Sequence, residues 1–178
     1  MRRLQSGRFT EWLCKFEKNP LGSGTMIFAV GVDHAGAPLH DVACSTLIEL
    51  GHEVLDLGQC DDYPDMALQM GKVIDAGDAE RGILACGSGA GIAVAASKLP
   101  GIRAQTIHDT YTAHQAVEHD AVNVLCIGGR VIGSEVAREL VRTFAEAEVS
   151  DEPRHLRRRA KVELLELEGL DANLEGDS

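Results

Sequence analysis

Aromatic residues make up only 4% of this chain of 178 residues. A flavin site stacks its ring on such side chains, so their scarcity weighs against a flavin-binding module. Basic charge is short as well: 17 Lys and Arg face 28 Asp and Glu, a net charge of −11. Nucleic acid and anionic membranes repel such a chain, and neither is expected as a partner. A small anionic ligand stays open wherever basic residues gather. No apolar run approaches the length of a membrane span. Arg2 and Arg3 are not followed by an apolar segment, so no secretory signal is expected. The five cysteines, Cys14, Cys44, Cys60, Cys86 and Cys126, contain no CxxC pair. Their odd number and wide spacing fit reduced thiols in a cytoplasmic protein rather than a disulfide framework or a metal site.

What is present is ordinary for a soluble globular protein, with 44% hydrophobic and 25% charged residues. The length suffices for one domain with a proper core. Residues 1–25 end in the breaker-rich Asn19-Pro20-Leu21-Gly22-Ser23-Gly24 and read as a loose extension. The domain itself is expected over 26–168, and an acidic tail over 169–178.

From Met26 a strand–helix rhythm begins. Strands are expected at Ile27–Val32, Glu53–Leu57, Gly82–Cys86, Ile102–Ile107 and Val124–Ile127. Helices are expected at Pro38–Leu50, Tyr63–Ala76, Gly89–Lys98, Thr110–His119, Ser134–Glu148 and Pro153–Glu168. Pro64 in the first turn and Gly77 just past the end mark the second helix clearly. The strands read as continuous apolar runs, as a sheet buried on both faces requires. The expected fold class is α/β: a single-domain three-layer α/β/α sandwich around a five-stranded parallel, Rossmann-like sheet.

The most informative stretch is Ile83-Leu84-Ala85-Cys86-Gly87-Ser88-Gly89-Ala90-Gly91-Ile92. An apolar strand ends in a cysteine, three glycines follow, and a helix begins. Free N–H groups and the helix dipole both favour negative charge at such a junction. A sulfur at the rim of that field gains thiolate character. A nucleophile or base beside an oxyanion cradle points to an enzyme. The bland alternatives are a small buried cysteine and glycines that merely turn the chain.

Ligands of open α/β sheets bind beyond the carboxyl ends of the strands. There the sequence delivers Asp33-His34, Cys86 with its loop, His108-Asp109, and Gly128-Gly129-Arg130. Asp33 can alternatively serve as a helix cap, and His119 can simply answer the dipole at the end of its helix. Arg154, Arg157, Arg158 and Arg159 with His155 form the one dense basic cluster. Positions 154 and 158 share a helical face, and two guanidiniums on one face suit a phosphate. The competing reading is a solvated face balanced by Glu163, Glu166 and Glu168.

Taken together, these segments resemble the type B ribose-5-phosphate isomerases and the galactose-6-phosphate isomerase subunits. The resemblance rests on Gly31-Val32-Asp33-His34-Ala35-Gly36, Asp62-Tyr63-Pro64-Asp65, Cys86 to Ile92, and Lys98 with Pro100-Gly101-Ile102-Arg103-Ala104. His119 with Asn123-Val124-Leu125, Gly129-Arg130-Val131-Ile132-Gly133, and Arg154-His155 with Arg158 complete it. The matches keep their order over roughly residues 26–165, and no single motif carries them.

The resemblance implies an aldose–ketose isomerase of sugar phosphates that uses no metal or organic cofactor. It assigns ring opening to His119 and removal of the C2 proton to Cys86, since Ile92 occupies the position where another branch carries a glutamate. The amides of Gly87, Gly89 and Gly91 would hold the enediolate oxygens, with Ser88 assisting proton movement or holding the sugar. Asp33 would bind sugar hydroxyls or assist opening. His34, Arg130, Arg154 and Arg158 match the phosphate set, and Asn123 is carried over as a substrate contact. A homodimer, or a dimer of dimers, is implied, with the histidine and some arginines reaching across from the partner. Asp120 stands where many members have Asn; a carboxylate there opposes an anionic intermediate unless it faces away or an arginine compensates it.

The reaction expected first is ribose 5-phosphate to ribulose 5-phosphate. Galactose 6-phosphate, allose 6-phosphate or a tetrose phosphate is the alternative substrate within the class. Outside the class stand a flavodoxin-like binding module and a receiver-like signalling domain; the Cys-Gly-Ser-Gly loop has no purpose in the latter.

Overall fold

The apolar segments alternate side by side, and this splits one sheet into two cores. Phe28, Val30, Val32, Ile83, Ala85, Leu125 and Ile127 fill one face; Ala29, Leu84, Cys86, Val124 and Cys126 fill the other. Successive residues of a strand point to opposite faces, so both parities must be apolar when helices cover both sides.

The computed structural model describes residues 24–174. The strands are β1 (Ile27–Asp33), β2 (Glu53–Cys60), β3 (Arg81–Cys86), β4 (Ala104–Thr106) and β5 (Val124–Gly128). The helices are α1 (His40–Glu49), α2 (Tyr63–Ala76), α3 (Ala90–Ala96), α4 (Thr110–Asp120), α5 (Ser134–Glu146) and α6 (Pro153–Glu168). All strand pairs are parallel, in the order β2-β1-β3-β5-β4. Helices α1, α4 and α5 cover one face, and α2 and α3 the other, which makes the three-layer sandwich. Helix α6 packs against α4 rather than on the sheet. The chain turns back between β1 and β3, so a crevice opens at their carboxyl ends.

Several boundaries differ from the sequence reading. The segment from Ala37 to Leu39 is a 3₁₀ turn, and α1 proper starts at His40. Strand β2 runs three residues beyond Leu57, to Cys60. A bulge absorbs Gly58, which adopts a positive φ of 70°, and its N–H donates to Asp56 Oδ1 at 2.7 Å. Glycine suits a bulge because it carries no Cβ penalty there. β4 is only three residues long and half-exposed, since it lies at the sheet edge opposite β2. The continuous-burial reading therefore holds for β1, β3 and β5 and not for the two edge strands. Helix α3 is shorter than Gly89–Lys98, because Gly89 takes a left-handed φ of 79° as its N-cap. Helix α5 ends at Glu146, where Ala147 turns extended.

That last stop is enforced by Arg81, which is 4% exposed. Its Nη1 donates to the Phe144 carbonyl at 2.8 Å and its Nη2 to the Ala147 carbonyl at 2.9 Å. The guanidinium also lies 5.6 Å from the Phe144 ring centre. Burial presses its pKa down to about 10, so it stays charged at neutral pH. The final carbonyls of a helix need partners, and a buried cation supplies them here. Arg81→Ala is expected to cost about 2–4 kcal/mol in urea unfolding with an unchanged m-value, because carbonyls lose charge-assisted partners and a cavity opens. A loss under about 1 kcal/mol would show that water replaces the guanidinium freely.

The extension read over 1–25 lies almost wholly outside the described residues. Of the acidic tail, Gly169–Asp171 forms a 3₁₀ turn, and the Leu174 carbonyl accepts from Lys161 Nζ at 2.9 Å. Cys14 also falls outside the described residues.

Candidate active site

At the carboxyl ends of β1 and β3 lies a cavity of about 430 Å³. Asp33, His34, Cys86, Gly87, Ser88, Gly91 and Arg130 line it, together with Ala35, Tyr63 and Val131. Four separate stretches of sequence thus meet there because β1, β2, β3 and β5 all end at one edge.

Cys86 is 4% exposed, on the face of β3 that looks toward α2 and α3. The chain turns sharply after it, and the Gly89 N–H donates back to Cys86 Sγ at 3.1 Å. An N–H aimed at sulfur is the partner a thiolate takes. The Ala90 N–H donates to Ser88 Oγ at 3.3 Å. The N–H groups of Gly87, Ser88 and Gly91 make no hydrogen bond to another described residue. Those amides, in the loop that lines the cavity, remain free for an oxyanion, whereas the Gly89 amide is taken by the sulfur. Thr106 Oγ1 donates to the Gly89 carbonyl at 3.0 Å, which ties the loop to β4. A Cβ at Gly89 would sit 3.0 Å from the Ile127 backbone, so both its φ and its surroundings demand glycine.

Cys126 is the instructive contrast. It sits one strand away, opposite Leu84, fully buried among apolar side chains. Burial drives its thiol far above the ordinary range and leaves it inert. Two cysteines end up on one face of one sheet, and only the one at the loop reaches the cavity.

Asp33 is 6% exposed, and its Oδ1 accepts from Ala35 N at 2.8 Å and Gly36 N at 2.9 Å. It therefore pins the β1 loop as an Asx turn, with Oδ2 left toward the cavity. His34 and Arg130 are exposed at the mouth. His108 and Asp109 serve the scaffold. His108 Nε2 accepts from Gly128 N at 3.0 Å, and Asp109 Oδ1 caps α4 through Thr112 N at 2.7 Å. That cap holds the Asp109 carboxyl below its usual range.

The remaining expected residues lie elsewhere in the chain. His119 ends α4, and Asn123 precedes β5, so both sit at the amino edge of the sheet. The five residues of β5, at about 3.3 Å each, put roughly 13 Å or more between that edge and Cys86. Helix α6 brings its basic cluster to the same end: the His155 ring packs on His119, centroids 4.0 Å apart. Arg159 donates to the His119 carbonyl at 3.3 Å and to the Ser150 carbonyl at 2.8 Å. His155 is 2% exposed; burial, then His119 and the flanking arginines, presses its pKa down. Arg154 and Arg158 are exposed beside it. Asn123 is fully buried, with Oδ1 accepting from Arg103 N at 2.8 Å and Nδ2 donating to the Gly101 carbonyl at 2.9 Å. Its amide is thus committed to the turn before β4.

Asp120 does not stand alone. Arg103 Nη1 donates to its carbonyl at 3.0 Å, and the charges of Arg103 and Arg159 both feel its carboxylate. Compensation by arginine is the arrangement found. The cavity residues absent from the expected site are Ala35, Val131 and Tyr63; the Tyr63 ring lies against Gly91, where a Cβ would come within 3.1 Å. The signal for Tyr63 was the Asp62-Tyr63-Pro64-Asp65 motif, read as a helix start and as part of the family resemblance but assigned no role in the site.

A cavity with one thiol, free amides, an arginine, a histidine and a half-buried loop, at the switch point of a doubly wound sheet, defines an enzyme of small anionic substrates. The family model described as Ribose/Galactose Isomerase matches residues 28–162. Ribose-5-phosphate isomerase B of Escherichia coli is 39% identical over 124 residues, covering 67% of this chain and 83% of that protein. The D-erythrulose-4-phosphate isomerase of Pectobacterium atrosepticum is 38% identical over 125 residues, covering 67% and 82%. The solved type B ribose 5-phosphate isomerase of Trypanosoma cruzi aligns with a TM-score of 0.76 at 36% identity, over 80% of this chain and 97% of that one. This chain belongs to the ribose/galactose isomerase family, and it is a sugar-phosphate isomerase. Among the described residues, no helix is long and apolar enough to cross a membrane.

Proposed function

We propose that this isomerase interconverts ribose 5-phosphate and ribulose 5-phosphate through a cis-enediolate, with Cys86 as the base. The observation that carries this reading is the Cys86 sulfur in the cavity, with unbonded amides of the next turn alongside it. A proton next to a carbonyl is weakly acidic, so its removal needs a placed base and a cradle for the charge that forms on oxygen. Cys86 Sγ takes the proton from C2, and the C2 electrons pass to the carbonyl oxygen at C1. The amides of Gly87, Ser88 and Gly91 hold that oxygen. Sγ then returns the proton to C1, while a proton moves between O2 and O1 with help from Ser88 Oγ. Nothing is consumed, and no cofactor is called for.

The free Oδ2 of Asp33 is suited to a sugar hydroxyl, since Oδ1 is already taken. His34 and Arg130 give a phosphate its first hydrogen-bond donors, with the charge of the arginine. Ring opening by His119, and the further phosphate contacts of Arg154 and Arg158, require a second chain, because their own chain holds them at the far edge. A homodimer in which each chain lends His119 and its α6 arginines to the other's Cys86 meets that need. Exposed apolar side chains on α6, including Leu156, Val162 and Leu165, are suited to such burial.

A coupled isomerase assay across four-, five- and six-carbon sugar phosphates tests the reading. Ribose 5-phosphate is expected to give the highest kcat/KM. A higher value for a tetrose phosphate or galactose 6-phosphate reassigns the substrate, and absence of turnover with all of them overturns the isomerase reading itself.

A further inference from the structure

Away from the cavity, α1 and β2 bring together three side chains of different chemistry. His40 and Cys44 are four apart on α1, hence on one helical face, and Asp56 lies on the neighbouring edge strand. His40 Nε2 is 2.8 Å from Asp56 Oδ1 and 3.8 Å from Cys44 Sγ. One ligand atom from each of the three lies within 4.8 Å of the others. On its other side, His40 Nδ1 is 3.2 Å from Asp41 Oδ1.

We propose that His40, Cys44 and Asp56 form a binding site for a divalent transition metal of the zinc type, with Asp41 orienting the histidine. A tetrahedral zinc, with Zn–S about 2.3 Å and Zn–N about 2.0–2.1 Å, sets its S···N separation at roughly 3.6 Å. The observed 3.8 Å is close to that value. The His40 and Asp56 atoms must separate by only about half an ångström. Asp56 can yield, because its side chain is 55% exposed. A thiolate, an imidazole and a carboxylate select zinc or cobalt over magnesium or calcium. Asp41 on Nδ1 completes the carboxylate–histidine–metal arrangement that fixes the tautomer of a ligating histidine.

A plain His40–Asp56 ion pair accounts for two of the three groups; Cys44 packs against the core from the same helical face, with its Sγ turned to the histidine. Burial first, then the charges of Asp56 and Asp41, pushes the Cys44 thiol up to about 11. The pKa of His40 is raised too: burial alone would lower it, and its bonds to Asp56 and Asp41 outweigh that. Asp56 at 2.8 Å and Asp41 at 3.2 Å flank the two ring nitrogens of His40, so the geometry itself places carboxylates where a cation would sit. Metal binding displaces the proton shared by His40 and Asp56 and the thiol proton of Cys44, so up to two protons leave as the metal enters. Affinity accordingly rises with pH. Three protein ligands leave a fourth position for water. The absence of a CxxC pair hides the site in the sequence, because its third ligand comes from another element.

The test is a titration of the chelator-treated full-length protein with Co²⁺ alone. One equivalent per chain is expected, with a thiolate-to-cobalt charge-transfer band in the near ultraviolet that strengthens from pH 6 to pH 8. Zn²⁺ should raise the Tm, as any ligand of the folded state does. Cys44→Ser should abolish the band while isomerase turnover stays at the wild-type level, and Asp41→Asn should weaken binding about tenfold. No band, or a band that survives Cys44→Ser, overturns the site. Should Cys44→Ser fail to fold, Asp56→Asn decides, and undiminished binding there overturns it equally.

Discussion

Cys86→Ala is expected to lower kcat for ribose 5-phosphate by at least about 10²–10⁴-fold, the range a positioned general base contributes. KM should change little, because the phosphate and hydroxyl contacts of the proposed mechanism do not involve the sulfur. The fold should survive, since the side chain sits at the end of β3 beside an open cavity and its removal leaves only a small void. Stopped-assay kinetics with thermal unfolding as a control check both halves. Turnover within about tenfold of wild type would remove the sulfur from the proton transfer and leave the amide cradle alone to account for the site. Cys126→Ala is the matched control: its thiol is buried and faces no cavity. A loss of turnover from that change would have to come through stability.

Mixing two inactive variants gives the second large effect. Cys86→Ala and His119→Ala homodimers should each be nearly inactive on the closed-ring sugar. In the proposed dimer arrangement, a heterodimer of the two would restore one complete site, in which Cys86 of one chain meets His119 of the other. Random reassociation of equal amounts makes half the dimers mixed, each with one working site of two. Recovered activity should therefore approach about a quarter of wild type in an isologous dimer. Separately stored variants combined without subunit exchange give the baseline. No recovery after verified exchange would mean that Cys86 and His119 serve the same chain's site. That outcome would demand a large movement of α4, whose last turn is clamped by Arg159 and Arg103.

Much of this architecture was readable from the chain. Tyr63–Ala76 emerges with its expected limits because Pro64 and Gly77 fix both ends by local sterics alone. The five strands appear in the right places because burial on both faces makes the central ones apolar at every position. The extension of β2 through Gly58 escaped, since a glycine in a strand reads as a stop unless the neighbouring strand is known to accept a bulge. Arg81 escaped for a related reason. A charged residue at a strand start reads as solvated, and only the position of α5 shows the carbonyls that hold it.

The site divides along the same line. The loop after Cys86 is a local feature, and adjacent residues dictate its turn, its free amides and the return of Gly89 to the sulfur. Sequence alone therefore determined the fold class, the glycine-rich turn after Cys86 and the family. Which thiol meets a cavity, which carboxylate is already spent on backbone amides, and which basic residues lie at the far edge are questions of distance between segments far apart in the chain. Tertiary structure alone decided these, because helices run opposite to the strands they cover and so carry residues from their two ends to opposite edges of the sheet.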